Sequence, residues 1–516
     1  DPGIQNIVDE EYSDPSNYPD YVQYALDYAL TVKQPDGQEV NYSKEMMKLY
    51  FQNEDPSFDL LFDSQDEGQT YVDRYKANIL ADGSTVVAER VSFAPQPQSA
   101  MTIIDQHTGY VKAIIGGRGT KTASLTLNRA TDSTRQPGST FKIVSTYAAA
   151  LNEKGMTLAT TYEDQPITYD NGAPVNNASG SFNGTTTIRT AIRNSVNTVA
   201  VQCFEDVTPE LGLKYLDNFG FTTLAHGTEA DTDANGNVYT DANLPTALGG
   251  LTYGVKNVEL CAAYAAIANG GNYIKPVYYT KILDHNGNVL IENNSVGRSV
   301  IKETTAYLLT SALEDVVQNG TGTACQLDNM AVAGKTGTTD AYNDLWFVGY
   351  TPYYTCAVWS GYDGNQKIPE GDARNFHKTL WRKVMNRIHQ GMEYKDFEVP
   401  DGIEQISICA DTGLLPRVGC PVTEEYFDVG TMPTEYCDQH FYEYDESQDE
   451  DMEISDENAT PTPDPENPDG TDNTDGSGGD GTGGDGTGGD GTRSEEHTSE
   501  LQSLRHLVCC LLLEKS

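Results

Sequence analysis

Three short strings in this 516-residue chain bring hydroxyl, amine and amide groups together in a fixed order: Ser139-Thr-Phe-Lys142, Ser195-Val-Asn197 and Lys335-Thr-Gly-Thr338. In the first, a serine and a lysine three residues apart at the start of a helix share one face and lie within side-chain reach. A serine hydroxyl becomes a nucleophile only when something takes its proton. A lysine does so when burial or a neighbouring cation lowers its pKa, and the helix N-terminus favours the anion that develops. The pattern alone is weak evidence. Average composition gives about two chance matches in a chain this long, and an N-cap serine followed by a solvated lysine accounts for it equally well.

The second string, 56 residues on, adds a hydroxyl, Ser195, able to relay a proton between Lys142 and a leaving amine. Asn197 adds an amide that holds a peptide by donating and accepting at once. Taken alone, it also reads as a polar helix start. The third is the most specific, with roughly 0.1 chance Lys-Thr-Gly matches per chain of this length. On a strand beside the site, its backbone can pair with an extended peptide. Gly337 leaves room for close approach, while Lys335, Thr336 and Thr338 suit a terminal carboxylate. Its bland reading is an edge strand protected by a lysine.

The elements that must position these groups are legible in the patterning. Met101 to Asp105 and Tyr110 to Gly116, around a His107-Thr-Gly109 turn, predict two strands. Phe141, Val144, Tyr147, Ala148 and Leu151 predict an amphipathic helix from Ser139 to Asn152. Further helices are expected over Ile188 to Val201, Pro209 to Asn218 and Val258 to Ala268, the last closed by Asn269-Gly-Gly271. Met330 to Thr339, Leu345 to Tyr350 and Tyr354 to Tyr362 predict an antiparallel meander. A helix with Phe376, Leu380, Val384 and Ile388 on one face follows. The expected class is α+β: a five-stranded antiparallel sheet packed by helices, with a largely helical insertion. Residues 1–96 read as a small pedestal or linker region with Tyr-rich helical stretches such as Tyr21 to Leu30.

With each string on the element its chemistry requires, the set resembles the acyl-serine penicillin-binding proteins and β-lactamases. The texts Arg135-Gln-Pro-Gly-Ser-Thr-Phe-Lys142, Leu248-Gly-Gly250 and Asp344-Leu-Trp-Phe-Val-Gly-Tyr350 are similar to class A penicillin-binding proteins of Gram-positive-type bacteria. The resemblance covers about residues 97–395 and implies their transpeptidase fold. It implies a serine D,D-transpeptidase acting on stem peptides ending in D-Ala-D-Ala, inhibited by β-lactams. Ser139 would be acylated, Lys142 would activate it and Ser195 would shuttle the proton. Asn197 would contact the peptide, Lys335, Thr336, Gly337 and Thr338 would bind substrate, and the backbone amides of Ser139 and Thr338 would form the oxyanion hole. No metal or organic cofactor is implied. The location implied is the outer face of the bacterial cell membrane, reached through an N-terminal anchor. Neither that anchor nor a Glu-Asp-x-x-Phe-x-x-His segment of a glycosyltransferase domain is found in the chain, so it reads as a truncated part of a bifunctional synthase. A D,D-carboxypeptidase or β-lactamase-like hydrolase and a β-lactam sensor are the alternatives.

The charge argues against a phosphate-backbone partner. The formal net charge is −44, and positions 443–492 carry seventeen Asp or Glu with no Lys or Arg, so much of the excess resides there. That Pro/Gly-rich stretch is expected to be disordered. Residues 493–516 break from it abruptly and resemble a translated sequencing adapter. The intervening region, 396–442, holds Cys409, Cys420, Cys437 and His440. Its Cys-x-x-His ending has metal-ligand spacing, although a disulfide with a spare thiol, or free thiols, fit as well.

Overall fold

The computed structural model of the chain describes residues 1–121 and 126–440. The acidic stretch and the adapter-like terminus, 443–516, lie outside the described residues.

Five antiparallel strands form the central sheet, in the order Ala333–Thr338, Asp344–Tyr350, Thr355–Gly361, Gln98–Asp105, Tyr110–Ile115. Three strands arrive from the late meander and two from the early hairpin, as the patterning predicts. The strands Asp344–Tyr350 and Thr355–Gly361 are buried at every position and do not alternate, because helices cover both faces. On one face lie the helix Asn257–Ala268, itself almost wholly buried, and the helix Glu303–Asn319. On the other, Leu380, Trp381, Val384 and Ile388 of the helix Phe376–His389 meet Ile4 and Val8 of the N-terminal helix Pro2–Ser13. Both contribute i, i+4 apolar stripes, the pattern that a sheet-covering helix needs.

The N-terminal region corrects one expectation. Tyr21 to Leu30 is not helical: Gln23–Lys33 is a strand, paired with Glu39–Ser43, Leu61–Phe62 and Thr85–Gln96. Leu26, Tyr28, Leu30 and Val32 are buried while their neighbours are less so, a period of two that the tyrosines conceal. The helices Lys44–Gln52 and Gln65–Ile79 close that face with Phe51, Val72 and Tyr75.

Two expectations for the helical insertion also change. The helix following Ser139 is buried on all sides. Every residue from Thr140 to Leu151 is inaccessible, because the helices Asn197–Val207 and Pro209–Asn218 and the sheet-covering helices enclose it. The expected helix Ile188 to Val201 is two, Ile188–Asn194 and Asn197–Val207, broken where Ser195 adopts φ 57° and ψ 43°. Pro209–Asn218 forms as predicted, with Thr208 as its N-cap.

After the sheet, Ile403–Cys409 and Val422–Asp428 form a two-stranded hairpin. It is tied to the helical insertion by Glu425, whose carboxylate accepts two 2.6 Å hydrogen bonds from Arg189; Arg189 also donates to the carbonyl and hydroxyl of Ser311. The Glu425 side chain is 3% exposed. Removing one partner of such a pair leaves the other buried and uncompensated. Glu425→Ala is therefore expected to destabilise the folded chain by about 3–5 kcal/mol in denaturant unfolding. A loss under about 1 kcal/mol would show the pair to be peripheral.

Candidate active site

Ser139 sits in a tight turn, Gly138–Thr140, that leads into the buried helix. The first full turns, Lys142–Tyr147, are wound as a π-helix before the chain settles into α geometry at Ala148–Glu153. Such π turns recur at functional sites. The turn is held by backbone packing that admits no side chain. A Cβ on Gly138, which has φ +55°, would lie 2.7 Å from the Thr338 carbonyl oxygen. A Cβ on Gly337 would lie 2.6 Å from the Pro137 oxygen, and one on Gly249 2.5 Å from the Gly138 oxygen. Glycine is required where main chains approach this closely. The serine turn is thus wedged between the edge strand carrying Lys335 and the Leu248-Gly-Gly250 segment.

Further clamps lie one residue deeper. Arg135 pairs its backbone with Val255 through 2.9 and 2.8 Å hydrogen bonds, and Gln136 exchanges side-chain bonds with the Leu251 backbone. Trp346 Nε1 donates to the Gln136 carbonyl at 2.9 Å. The Arg135 guanidinium lies over the Trp359 ring, 4.7 Å from its centre, and Trp359 Nε1 donates to Asp344 at 2.9 Å. These contacts fix the Ser139 turn to the sheet.

Lys142 is wholly buried. Its ammonium nitrogen lies 2.6 Å from Asn197 Oδ1, 2.7 Å from the Ser195 carbonyl oxygen and 3.2 Å from Ser195 Oγ. Burial drives its pKa well below the ordinary lysine value, and the nearby Lys335 charge lowers it further. Among the described residues no carboxylate pairs with it. The left-handed conformation of Ser195 is what turns both its carbonyl and its hydroxyl toward Lys142; for a non-glycine residue that conformation costs about 1–2 kcal/mol.

The strain is contained by a buried network with no sequence signal of its own. Asp164, 1% exposed, accepts from Asn177 Nδ2 at 2.6 Å, from Thr198 Oγ1 at 2.5 Å and from the Asn183 backbone at 2.8 Å. Asn177 Oδ1 in turn accepts from the backbone N–H of Asn197 at 2.8 Å and of Thr198 at 3.3 Å, capping the helix that begins there. These residues fix the Asn197 backbone, and its side-chain Nδ2 donates to the Asn176 carbonyl at 2.6 Å.

Lys335, Thr336, Gly337 and Thr338 occupy the sheet's edge strand, opposite Val348, Phe347, Trp346 and Leu345. Lys335 is fully buried, so it does not act as an edge-protecting surface lysine; burial brings its pKa down to about 7. Thr336 Oγ1 lies 2.7 Å from Thr321 Oγ1, a hydroxyl that motif reading does not single out. Thr338 is exposed beside the serine turn, with its backbone nitrogen 3.0 Å from the position of a Gly138 Cβ. The three strings therefore meet where the helical insertion faces the sheet edge: Lys142 contacts Ser195 and Asn197, and the serine turn packs on Gly337 and Thr338. The Ser139 hydroxyl makes no hydrogen bond among the described residues.

Comparison with known proteins identifies the family of this fold. Residues 99–386 match the penicillin binding protein transpeptidase domain, and residues 399–442 match the C-terminal domain of penicillin-binding protein 1A. Penicillin-binding protein 1A of Clostridium tetani is 34% identical over 362 residues, covering 67% of this chain and 45% of that protein. Penicillin-binding protein 1A/1B of Bacillus subtilis is 29% identical over 383 residues, covering 70% of this chain and 39% of that protein. The chain thus spans less than half the length of these relatives. Among solved structures, penicillin-binding protein 1A from Haemophilus influenzae superposes with a TM-score of 0.57 at 22% identity, over 84% of this chain and 66% of that one. PonA1 from Mycobacterium tuberculosis, in complex with penicillin V, superposes with a TM-score of 0.51 at 27% identity, over 59% of this chain and 81% of that one. The chain belongs to the penicillin-binding protein transpeptidase family and corresponds to the transpeptidase region of its class A members.

Proposed function

We propose that the cleft is the active site of a serine D,D-transpeptidase that cross-links peptidoglycan stem peptides, and that residues 97–395 carry the reaction. The observation that carries this reading is Lys142, buried without a carboxylate and bonded to both Ser195 and Asn197. Neutral Lys142 takes the Ser139 proton as Ser139 Oγ attacks the carbonyl of the penultimate D-Ala. The Ser139 and Thr338 backbone amides receive the developing oxyanion. The peptide bond breaks, terminal D-Ala leaves as an amine that regains the proton through Ser195, and the peptide remains as an ester on Ser139. An acceptor amine then attacks the ester, forms the cross-link and frees Ser139. A β-lactam opens by the same attack but has no separate leaving group, so its acyl adduct persists.

Lys335, with Thr336 and Thr338, receives the substrate carboxylate, and Asn197 holds the peptide amide. A hydrolytic reading, carboxypeptidase or β-lactamase, needs a group to activate water. Among the described residues no carboxylate hydrogen-bonds Ser139, Lys142 or Ser195, which favours transfer to an amine. The substrate places the reaction outside the cytoplasmic membrane, and the longer protein would add glycan polymerisation from a glycosyltransferase domain.

Labelling with a fluorescent penicillin and cross-linking of donor and acceptor peptides test this reading together. Wild type is expected to form a long-lived adduct and cross-linked product, and Ser139→Ala to lose both, with turnover down by about 10³-fold or more. Equal labelling of the two proteins would remove Ser139 as nucleophile; rapid penicillin turnover would favour the hydrolase, and adduct without product the sensor.

Burial of Lys335 adds a stability signature. Its folded-state value of about 7 lies below the ordinary 10.5, so between these the folded protein binds fewer protons than the unfolded chain and stability rises with pH. Lys335→Met is therefore expected to stabilise the protein by a few kcal/mol below that window, with the advantage shrinking as pH climbs through it. An advantage independent of pH, read by denaturant unfolding, would show that Lys335 keeps its charge when buried.

A further inference from the structure

Outside the cleft, four side chains of metal-binding type converge in the C-terminal region. Cys409 ends the first hairpin strand, Cys420 precedes the second, and Cys437 and His440 follow it. The three sulfurs and an imidazole nitrogen all lie within 4.8 Å of one another. His440 Nδ1 is 3.5 Å from Cys409 Sγ and 3.3 Å from Cys437 Sγ. Zinc bonds of about 2.3 Å to sulfur and about 2.05 Å to nitrogen, set at tetrahedral angles, put S and N about 3.5 Å apart. The observed separations match that spacing, while the three thiols are free and none is joined in a disulfide.

The surroundings are those of a built site. His440 Nε2 lies 3.2 Å from the Asp411 carboxylate, an arrangement that turns Nδ1 toward the sulfurs and raises its basicity as a ligand. The Arg417 backbone N–H points at Cys420 Sγ from 3.2 Å, a contact suited to a thiolate. Backbone hydrogen bonds hold the ligands in place: Cys409 N to the Leu414 oxygen at 2.7 Å, Gly413 N to the Cys409 oxygen at 2.9 Å, and Cys437 N to the Leu415 oxygen at 2.8 Å. Cys409 and Cys437 are buried, whereas Cys420 and His440 are partly accessible and leave a way in.

Among the described residues the region has little buried core of its own: Ile408 and Phe427 against Ala159, with Ile406 and Met432 at its edge, while Ile403 and Tyr426 pack on the main core. A segment this short, with so little core, is usually held by a metal or disulfides. We propose that Cys409, Cys420, Cys437 and His440 bind one structural zinc ion that fastens the C-terminal hairpin. Three sulfurs and one imidazole in a tetrahedral array select zinc over hard cations, which prefer oxygen. On binding, the thiols release their three protons to solvent and the neutral imidazole completes the shell, with no oxidation or reduction.

The test uses the full chain, purified without added metal or metal-affinity resin. Elemental analysis is expected to find one zinc per chain, and Cys420→Ser with His440→Gln to reduce it at least about tenfold. Exchange with cobalt(II) in the wild type is expected to give the intense visible bands and sulfur-to-metal absorption of a tetrahedral thiolate site, a readout that survives if the double variant does not fold. A folded wild-type chain that neither contains zinc nor gives that cobalt spectrum would overturn the proposal. So would a disulfide between any two of the three cysteines in non-reducing peptide mass spectrometry.

Discussion

Two lysine side chains buried, among the described residues, without a carboxylate partner are the constraint around which this molecule is built. Taking a charge out of water costs several kcal/mol even after relaxation, so such groups persist only where the fold encloses them and their protons are readily lost. Lys142 lies on the buried helix and Lys335 on the sheet edge. Burial depresses both, and Lys335 adds its charge to the depression of Lys142. In the proposed reaction Lys142 accepts the Ser139 proton and Lys335 meets the substrate carboxylate.

Seating the Ser139 turn requires main chain to touch main chain. The glycines at 138, 249 and 337 let three segments distant in sequence meet at the Ser139 turn, and the Arg135, Trp359 and Asp344 contacts anchor it to the sheet. The strained Ser195 backbone does the same from the helical side, supported by Asp164 and Asn177. Strain at a reactive site persists when the surrounding structure over-determines it, and here it is fixed by hydrogen bonds on both sides of the bend.

The five strands and two of the helices that cover them, Asn257–Ala268 and Phe376–His389, were legible because apolar periodicity and turn residues report on burial directly, whereas the strand order and the helices Pro2–Ser13 and Glu303–Asn319 were not read. The cleft was legible through three strings whose chemistry demanded particular elements. What escaped did so for physical reasons. The tyrosines of Gln23–Lys33 are compatible with helix or strand, and only pairing with Thr85–Gln96 decides the matter. Nothing in the run from Ile188 to Val201 marks Ser195 as left-handed, because it caps the helix Ile188–Asn194 at a position where glycine is the usual signal. Asp164, Asn177 and Thr321 lie far in sequence from the residues they support, so no local pattern reports them. The spacing of Cys409, Cys420, Cys437 and His440 was ambiguous until folding set the distances between them.

The proposed reaction requires Lys142 to be neutral while Lys335 still carries its proton. The most direct measurement is the second-order rate of penicillin acylation as a function of pH, followed on the full chain. The predicted profile is a bell, rising as Lys142 loses its proton and falling as Lys335, at about 7, loses the charge that meets the β-lactam carboxylate. A rate that climbs steadily to the ordinary lysine range near 10.5 would show that neither lysine is depressed, and would contradict the account.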